Sequence, residues 1–355
     1  MTQQKPKTKP TIKDVAKLAG VSFKTVSRVV NNEDVVAEEV REKICRIIKE
    51  LGYHPNLSAR GLRGAAASIG FIYDNPNSHY IVEMQNGILS ICATAGYELV
   101  IRPCDARADN LRDQVLNMVD RSRVGGLVLT SPISENQSVI DALQERGVEV
   151  VRILSGELPP TGADLCPCVY VNDRAAAYQI TQYLLQLGHK NIAFLAGDDS
   201  HKSTLERQSG FLQAFTDAGL DACHARVLPG RYAFDSGFER CQALLSQTTD
   251  VRPTAIFGCN DEIAAGALLA ARLNNIPMPE QLSIVGFEDS PFSRQTLPKL
   301  TTAAQPTQEI AQQATRLLIE KMRTKNTTGG DPIPQSCESY TPQLVVRDSS
   351  AAPSP

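Results

Sequence analysis

The chain has 355 residues, of which 42% are hydrophobic and 21% charged, and its formal net charge is −3. No apolar run has the length of a signal-peptide core or a membrane span, so we expect a cytoplasmic protein that contacts no membrane. The charge is unevenly distributed, because residues 1–66 carry a net charge of +6 and the remaining residues carry −9. A basic head on an acidic body is typical of a nucleic-acid reader joined to a domain with another task.

Residues 1–10 are polar and interrupted by proline, and we expect a flexible arm there. Its lysines, Lys5, Lys7 and Lys9, either contact phosphate or stay solvated in a disordered segment. The sequence leaves both alternatives open.

Residues 11–31, TIKDVAKLAGVSFKTVSRVVN, have the pattern of two short helices joined by a glycine turn. Thr11 and Asp14 fit a capping box, and apolar residues at helical spacing run from Ile12 to Ala19 before Gly20 ends the helix. Ser22 can cap the second helix, whose valines face inward while its polar residues face outward. A helix-turn-helix places such residues in the major groove. The alternative is an ordinary helical hairpin with a solvated polar face.

A third helix is predicted to follow, because Val40, Ile44, Ile47, Ile48 and Leu51 form one apolar seam that ends at a glycine. We therefore expect a helical domain over residues 11–55. Residues 56–66 contain a cap residue and two turns of possible helix, which is too short to be stable alone in water. If that helix orders on DNA, Leu62 could insert between base steps in the minor groove and bend the duplex.

The remaining chain alternates short apolar runs with longer helical stretches, which predicts doubly wound parallel sheets of the α/β class. The runs suited to buried strands are Ile69–Tyr73, Tyr97–Ile101, Gly126–Leu129, Val148–Ile153, Val169–Val171, Ile192–Ala196, Ala255–Phe257 and Ser283–Phe287. About 280 residues exceed one sheet domain and suggest two lobes. The last residues, 349–355, are expected to be disordered.

Arg152 stands near the end of one apolar run, where a charge is unfavourable unless it is paired or opens into a cleft. Its partner is either a ligand carboxylate or hydroxyl, or a nearby protein carboxylate reached from an edge strand. The nine cysteines include no zinc-type spacing, and Cys166-Pro167-Cys168 is the one close pair. We expect reduced thiols, no metal and no cofactor.

The segments DVAKLAGVSFKTVSRVVN, REKICRIIKELGYHPN and SARGL resemble the DNA-binding head and hinge of the lac repressor/purine repressor family of bacterial transcriptional regulators. The resemblance extends over about residues 11–348. It implies base and phosphate contacts by Ser22, Phe23, Lys24, Thr25, Ser27, Arg28 and Asn31, and hinge contacts by Asn56, Leu57, Ala59 and Leu62. Ala37 departs from the usual serine or threonine before the third helix, and loses a cap worth about 1 kcal/mol.

For the body, the resemblance implies a fold similar to periplasmic sugar-binding proteins, with two lobes that close on a ligand. The first lobe would comprise about residues 67–172 and 306–328, and the second about 173–290 and 341–348. Ligands in such sheets lie beyond the carboxyl ends of strands. The candidate effector residues, some from position and some from the family, are Tyr80, Ser131, Arg152, Arg207, Tyr232, Asn260, Glu288 and Gln305. Glu288 departs from the more usual aspartate.

The resemblance implies a homodimeric repressor that binds pseudo-palindromic operator DNA and responds to a small molecule, with a sugar or sugar derivative as our expectation. A purine-type co-repressor system is the alternative within the family. A solute-binding protein is another alternative, but it would lack residues 1–64. No GxGxxG, Walker, GxSxG or HExxH motif opens a helix after a strand, so we expect no enzyme.

Overall fold

The computed structural model describes residues 10–30, 35–51, 53, 68–75, 77–122, 124–157, 166–248, 251–326 and 337–354. The chain forms two compact units, residues 1–65 and 66–355, which are called the head and the body below. No helix in the described part of the chain is long and apolar enough to cross a bilayer.

The head contains three helices: α1 (Ile12–Ala19), α2 (Phe23–Val30) and α3 (Glu38–Leu51). The Asp14 carboxylate accepts hydrogen bonds from the backbone N–H and the hydroxyl of Thr11, at 2.8 and 2.7 Å, and so caps the start of α1. Gly20 ends this helix at φ 69°, a left-handed conformation that favours glycine. Ser22 caps α2, because its Oγ accepts from the Thr25 N–H at 3.1 Å. The predicted turn is confirmed.

The head core is small and draws on all three helices. Val15, Val26 and Ile44 are fully buried, one from each helix. The predicted apolar seam of α3 packs against this cluster, which confirms the third helix. The N-terminal end of α3 begins after Ala37, whose carbonyl accepts from the N–H groups of Val40 and Arg41.

In the body, the first lobe is built on a six-stranded parallel sheet in the order β2-β1-β3-β4-β5-β11. Its strands are Ser68–Tyr73 (β1), Glu98–Pro103 (β2), Val124–Leu129 (β3), Glu149–Ser155 (β4), Cys168–Val171 (β5) and Glu338–Tyr340 (β11). Its helices are Ser78–Ala95 (α4), Leu111–Ser122 (α5), Gln137–Glu145 (α6) and Thr307–Asn326 (α12). Buried side chains of α4 and α12 form a core on the sheet.

The second lobe contains a four-stranded parallel sheet in the order β7-β6-β8-β9 and a two-stranded antiparallel pair, β10-β12. The strands are Ile192–Leu195 (β6), Ala225–Leu228 (β7), Ala255–Gly258 (β8), Ser283–Val285 (β9), Thr302–Ala304 (β10) and Gln343–Val345 (β12). Its helices are Asp173–Gln186 (α7), Lys202–Asp217 (α8), Phe234–Leu245 (α9), Asp261–Leu273 (α10) and Pro291–Gln295 (α11).

The chain passes between the lobes three times. It leaves the first sheet after β5, returns to the first lobe between β10 and α12, and crosses again between β11 and β12. The two-lobed α/β body is therefore confirmed. The strands β7, β10, β11 and β12 were not predicted, because they are short and, unlike the equally short β5, β6, β8 and β9, are not fully buried apolar runs.

The expectation of a disordered C-terminus is wrong for residues 349–354. Ser349 is fully buried, its Oγ donates to the Ile284 carbonyl, and the Thr301 N–H donates to that Oγ at 2.9 Å. Further along, the Ala351 carbonyl lies 2.8 Å from His189 Nε2. The tail is ordered because its polar groups complete hydrogen bonds at the edge of the second lobe, a reason that composition does not reveal.

Candidate functional site

The candidate DNA-reading surface is the N-terminal part of α2. Val26 and Val29 are buried on one side of this helix, so the residues between and before them face away from the core. Ser22, Phe23 and Lys24 are exposed, and the Phe23 side chain is 51% accessible although it is aromatic. The remaining predicted contacts on this helix are partly exposed: Thr25, Ser27 and Arg28.

An exposed aromatic residue beside a cation at the start of a helix is unfavourable in water, but it suits a surface that meets bases and phosphates. Ser22 has a structural role as well, since its hydroxyl caps α2 and lies 2.9 Å from the Thr25 hydroxyl. Asn31 and the hinge candidates Asn56, Leu57, Ala59 and Leu62 lie outside the described residues.

The second candidate site is a cleft between the two lobes of the body. Six of the eight predicted effector residues line it: Tyr80, Ser131, Arg207, Tyr232, Glu288 and Gln305. Each of the strands β1, β3, β4, β5, β6, β7 and β9 is followed by, or ends in, a lining residue. The cleft therefore lies at the carboxyl ends of both sheets, as the rule for open α/β sheets requires.

Arg207, on α8, is the buried cation of the cleft, with a side chain that is 4% exposed. Its Nε lies 2.7 Å from Asp173 Oδ1, and its Nη1 donates to the Cys259 carbonyl at 2.7 Å. The guanidinium carbon also lies 3.8 Å from the centre of the Phe287 ring. Burial opposes the charge most strongly, but the Asp173 carboxylate together with Tyr232, Cys259 and Glu288 outweighs this penalty, so the pKa of Arg207 is raised.

Glu288 is the second acid near Arg207, with its Oε1 3.8 Å from Arg207 Nη1. Its backbone has φ 106°, a strained conformation for a residue with a side chain. Asn77, from the other lobe, donates a hydrogen bond to its Oε2. Burial raises the pKa of Glu288 to about 8, and the Asp261 carboxylate adds to this effect, while Arg207 and Asn77 oppose it.

Asp173 is a cleft residue that the sequence reasoning did not select. Its Oδ1 binds Arg207, and its Oδ2 accepts a hydrogen bond of 2.5 Å from the Ser155 hydroxyl of the other lobe. The rule that selects residues after strands would have found it, because Asn172 and Asp173 directly follow β5. Other lining residues that were missed are Asn75, Asn77, Ser155, His201 and Ser203.

Tyr232 lies in the wall of the cleft and is held on several sides. Its hydroxyl lies 2.8 Å from the Thr204 hydroxyl, and its ring covers the backbone of Gly197, where a Cβ would come within 2.4 Å of the ring. The His201 ring packs against it edge-on at 5.5 Å. Burial lowers the pKa of His201, which keeps this imidazole neutral at neutral pH.

Two predicted effector residues are not in the cleft. Arg152 lies in β4, an interior strand, and its Nε donates to the Ser134 carbonyl at 2.6 Å, so it occupies neither an edge strand nor the cleft lining. Asn260 is fully buried and caps α10 by accepting from the Ile263 N–H at 2.9 Å. The backbone takes the Nε donor of Arg152 and the side-chain oxygen of Asn260, whereas Asn260 Nδ2 is buried without a hydrogen-bond partner among the described residues. The effector contacts of both residues therefore stay predictions that the cleft lining does not support.

The cleft lining combines polar side chains with the apolar Ile153, Leu154 and Val171, and contacts between polar side chains bridge the cleft. Besides the bonds from Asn77 and Ser155, Arg107 Nη2 of the first lobe lies 2.7 Å from Asp198 Oδ1 of the second. Within the described ranges, no group of three or more histidine, cysteine or acidic side chains has the arrangement of a metal site. Such a lining can contact a polar organic ligand from both lobes.

Two family models match the chain. One, described as bacterial regulatory proteins of the lacI family, matches residues 11–56, and the other, a periplasmic binding protein-like domain, matches residues 181–350. The first covers the helix-turn-helix and the second covers most of the second lobe. The fold and these matches together define a DNA-binding transcriptional regulator with an effector-binding body.

The "HTH-type transcriptional regulator DegA" of Bacillus subtilis (strain 168) is 31% identical over 347 residues, which cover 97% of this chain and 98% of that protein. The chain therefore belongs to the lacI family. The lac repressor dimer bound to operator and the anti-inducer ONPF has a TM-score of 0.72 at 26% identity, covering 97% of this chain and 100% of that one. A complex of the transcriptional regulator CelR with cellobiose has a TM-score of 0.67 at 28% identity, covering 96% and 99%. These are regulators, not enzymes.

Proposed function

We propose that this protein is a homodimeric repressor whose affinity for a pseudo-palindromic operator is controlled by a small sugar-like effector bound between the lobes of the body. The observation that carries the proposal is the convergence of six separately predicted residues on one interlobe cleft. Residues from positions 80 to 305 meet there only because two sheets place their carboxyl ends face to face. The exposed start of α2 supplies the DNA-reading surface.

Control by an effector is supported by the bonds across the cleft. Asn77 with Glu288, Ser155 with Asp173, and Arg107 with Asp198 each join one lobe to the other. A ligand in the cleft exchanges at least some of these bonds for its own, so it favours one lobe arrangement over another. If that arrangement sets the spacing of two hinge segments in a dimer, effector and operator binding are linked with the same coupling free energy in both directions.

Dimerisation is supported by exposed apolar side chains of the first lobe. Val82 and Leu89, two turns apart on α4, are 49% and 47% exposed, and Ile101 on the edge strand β2 is 39% exposed. Exposed apolar side chains mark a protein interface where they form a contiguous patch, and the spacing of Val82 and Leu89 places both on one face of α4. The solved lac repressor neighbour is itself a dimer on its operator.

A carbohydrate effector fits the lining, which combines hydroxyl, amide and carboxylate groups with the Tyr232 ring. The cellobiose complex of the CelR neighbour agrees with this choice. The solved neighbours include complexes with two different small molecules, cellobiose and ONPF, so an experiment has to identify the particular compound.

The experiment is a selection of operator DNA from a random-sequence duplex pool by the full-length protein, followed by fluorescence anisotropy. We expect one enriched palindrome, bound by two chains, whose affinity changes when a sugar is titrated in. A Phe23→Ala, Lys24→Ala double variant is the control, and it should lose the selected site while its body melts normally. Equal affinity for the selected and the scrambled duplex would contradict the proposal.

A further inference from the structure

The positive charge of Arg207 is already paired with groups of the protein. Asp173 holds its Nε at 2.7 Å, the Cys259 carbonyl holds its Nη1 at 2.7 Å, and Glu288 Oε1 lies 3.8 Å from the same nitrogen. Among the described residues that line the cleft there are two carboxyl groups and one guanidinium, while the lining histidine is kept neutral by burial. The positive charge is thus already matched within the protein.

The unsatisfied hydrogen-bonding capacity of the cleft is on the acceptor side. The Gln305 side-chain oxygen is buried and has no hydrogen-bond partner among the described residues. The Asp173 and Glu288 carboxyl groups each accept one bond from the opposite lobe, from Ser155 and Asn77, and a ligand that replaces these two donors must itself donate to the same oxygens. Acceptors require a ligand that donates.

From these two observations we infer that the effector carries no carboxylate or phosphate group, and that it binds through several hydroxyl or amine donors directed at Asp173, Glu288 and Gln305. An acidic ligand would have to displace Asp173 from Arg207, or lie beside two buried carboxyl groups without a free cation. Either arrangement leaves a buried charge uncompensated, which is unfavourable. The inference rests on the proposed function and narrows its ligand class.

The contacts of Arg152 remove the sequence-based argument for an acidic effector. A ligand carboxylate was one of the partners expected for this residue, and would have favoured an acidic sugar. Its Nε instead donates to the Ser134 carbonyl, and its side chain is not part of the lining. Arg152 therefore does not supply the cation that an acidic sugar in the cleft would need.

The first experiment compares matched probes in thermal-shift and calorimetric titrations of the full-length protein. The probes are glucose, glucosamine, glucuronate and glucose 6-phosphate, then the corresponding galactose and ribose series, and cellobiose. We expect stabilisation by uncharged or amine-bearing compounds, with the acidic partner of any bound sugar at least tenfold weaker. An acid or phosphate that binds as well as its uncharged partner would overturn the inference, and so would the failure of all uncharged and amine probes.

The second experiment uses inorganic phosphate as the probe and needs no effector. Phosphate at constant ionic strength should not stabilise the wild-type protein more than chloride does. In Asp173→Asn, which frees Arg207, and in the milder Glu288→Gln, phosphate should raise the melting temperature. Asp198→Asn is the matched control, because its partner Arg107 is 65% exposed and makes no buried anion site when freed. Two outcomes would count against the inference: phosphate stabilises the wild-type protein, or phosphate stabilises neither of the two cleft variants.

Operator binding is measured in the same samples. If an acidic compound weakens or strengthens operator binding, the proposed function is supported and the inference that the effector carries no acidic group is contradicted. If uncharged compounds stabilise the body and leave operator affinity unchanged, the inferred ligand class is supported and the proposed control of DNA binding is contradicted.

Discussion

The candidate DNA contacts of the head and the candidate ligand contacts of the body are assembled in different ways. In the head, residues 22–28 lie on one helix and its cap, and the core behind them is a single small cluster. In the body, the cleft draws its residues from positions 75 to 305 and from both lobes. A contiguous surface depends on one local structure, whereas the cleft depends on the packing of two sheets. One destabilising substitution in the head core should therefore abolish the whole DNA-contact surface. A substitution in the cleft should remove only the ligand contact of the residue that is changed.

The largest effect is expected for Val26→Asp, because Val26 is fully buried in the head core. A buried carboxylate without a partner costs more than the few kcal/mol that hold a domain of this size together. We expect specific operator binding to be lost and the body transition in calorimetry to remain. Leu18→Asp, on a side chain that is 60% exposed, is the control and should leave the head folded. A simultaneous loss of both transitions would contradict the independence of the two units.

Arg207→Ala should remove the ligand response and destabilise the body by about 3–5 kcal/mol, because it leaves Asp173 and Glu288 without their buried cation. Operator affinity in the absence of effector should remain within about threefold of the wild type, since the head is untouched. Urea unfolding and anisotropy measure the two effects. Arg207→Lys should recover part of the stability and less of the response, because lysine cannot hold two acceptors in a fixed plane. A normal ligand response in the alanine variant would remove Arg207 from the site.

Leu62→Ala concerns the hinge, which lies outside the described residues, so the prediction rests on the sequence. Loss of an apolar wedge worth about 1–3 kcal/mol should weaken operator binding roughly tenfold to a hundredfold. Binding to nonspecific DNA, which depends on phosphate contacts, should change much less. Equal losses on both kinds of DNA would rule out the wedge.

Glu288 should make the stability of the body depend on pH. Its pKa is raised to about 8 in the folded protein. At a pH between the ordinary pKa of glutamate and about 8, the folded state therefore keeps a proton that the unfolded state has released. Stability from this group is thus fully present at low pH and is lost as the pH rises through about 8. Asp261, with a pKa raised to about 7 by burial, acts in the same direction. We expect Glu288→Gln to flatten the fall in melting temperature between about pH 5 and pH 8 by a few degrees, and Asp261→Asn to flatten the part of it below about pH 7. A variant as pH-sensitive as the wild type would argue against the buried acid.

The smallest effect is expected for Arg107→Ala at the rim of the cleft. The Arg107–Asp198 pair is exposed on the arginine side, and such pairs are worth about 0.2–1 kcal/mol. Urea unfolding should detect at most that change, and added salt should reduce it. Asp198→Ala should cost more, because Asp198 also accepts two bonds from Ser200. A larger loss for Arg107→Ala than for Asp198→Ala would contradict this order.

The sequence by itself determined the helix-turn-helix, the caps at Thr11, Asp14 and Ser22, the α/β class of the body and six residues of the cleft. The helices, the caps and the fold class depend on periodicity and turn chemistry that act over a few residues. Of the cleft residues, Tyr80 and Ser131 followed from their positions after strands, whereas Arg207, Tyr232, Glu288 and Gln305 followed from the resemblance to the family. Tertiary structure alone decided the ordered tail, the roles of Arg152 and Asn260, and the placement of Asp173 beside Arg207. Their polar groups are satisfied by partners far away in the chain, so only the packed fold determines whether a partner is a ligand or the protein itself.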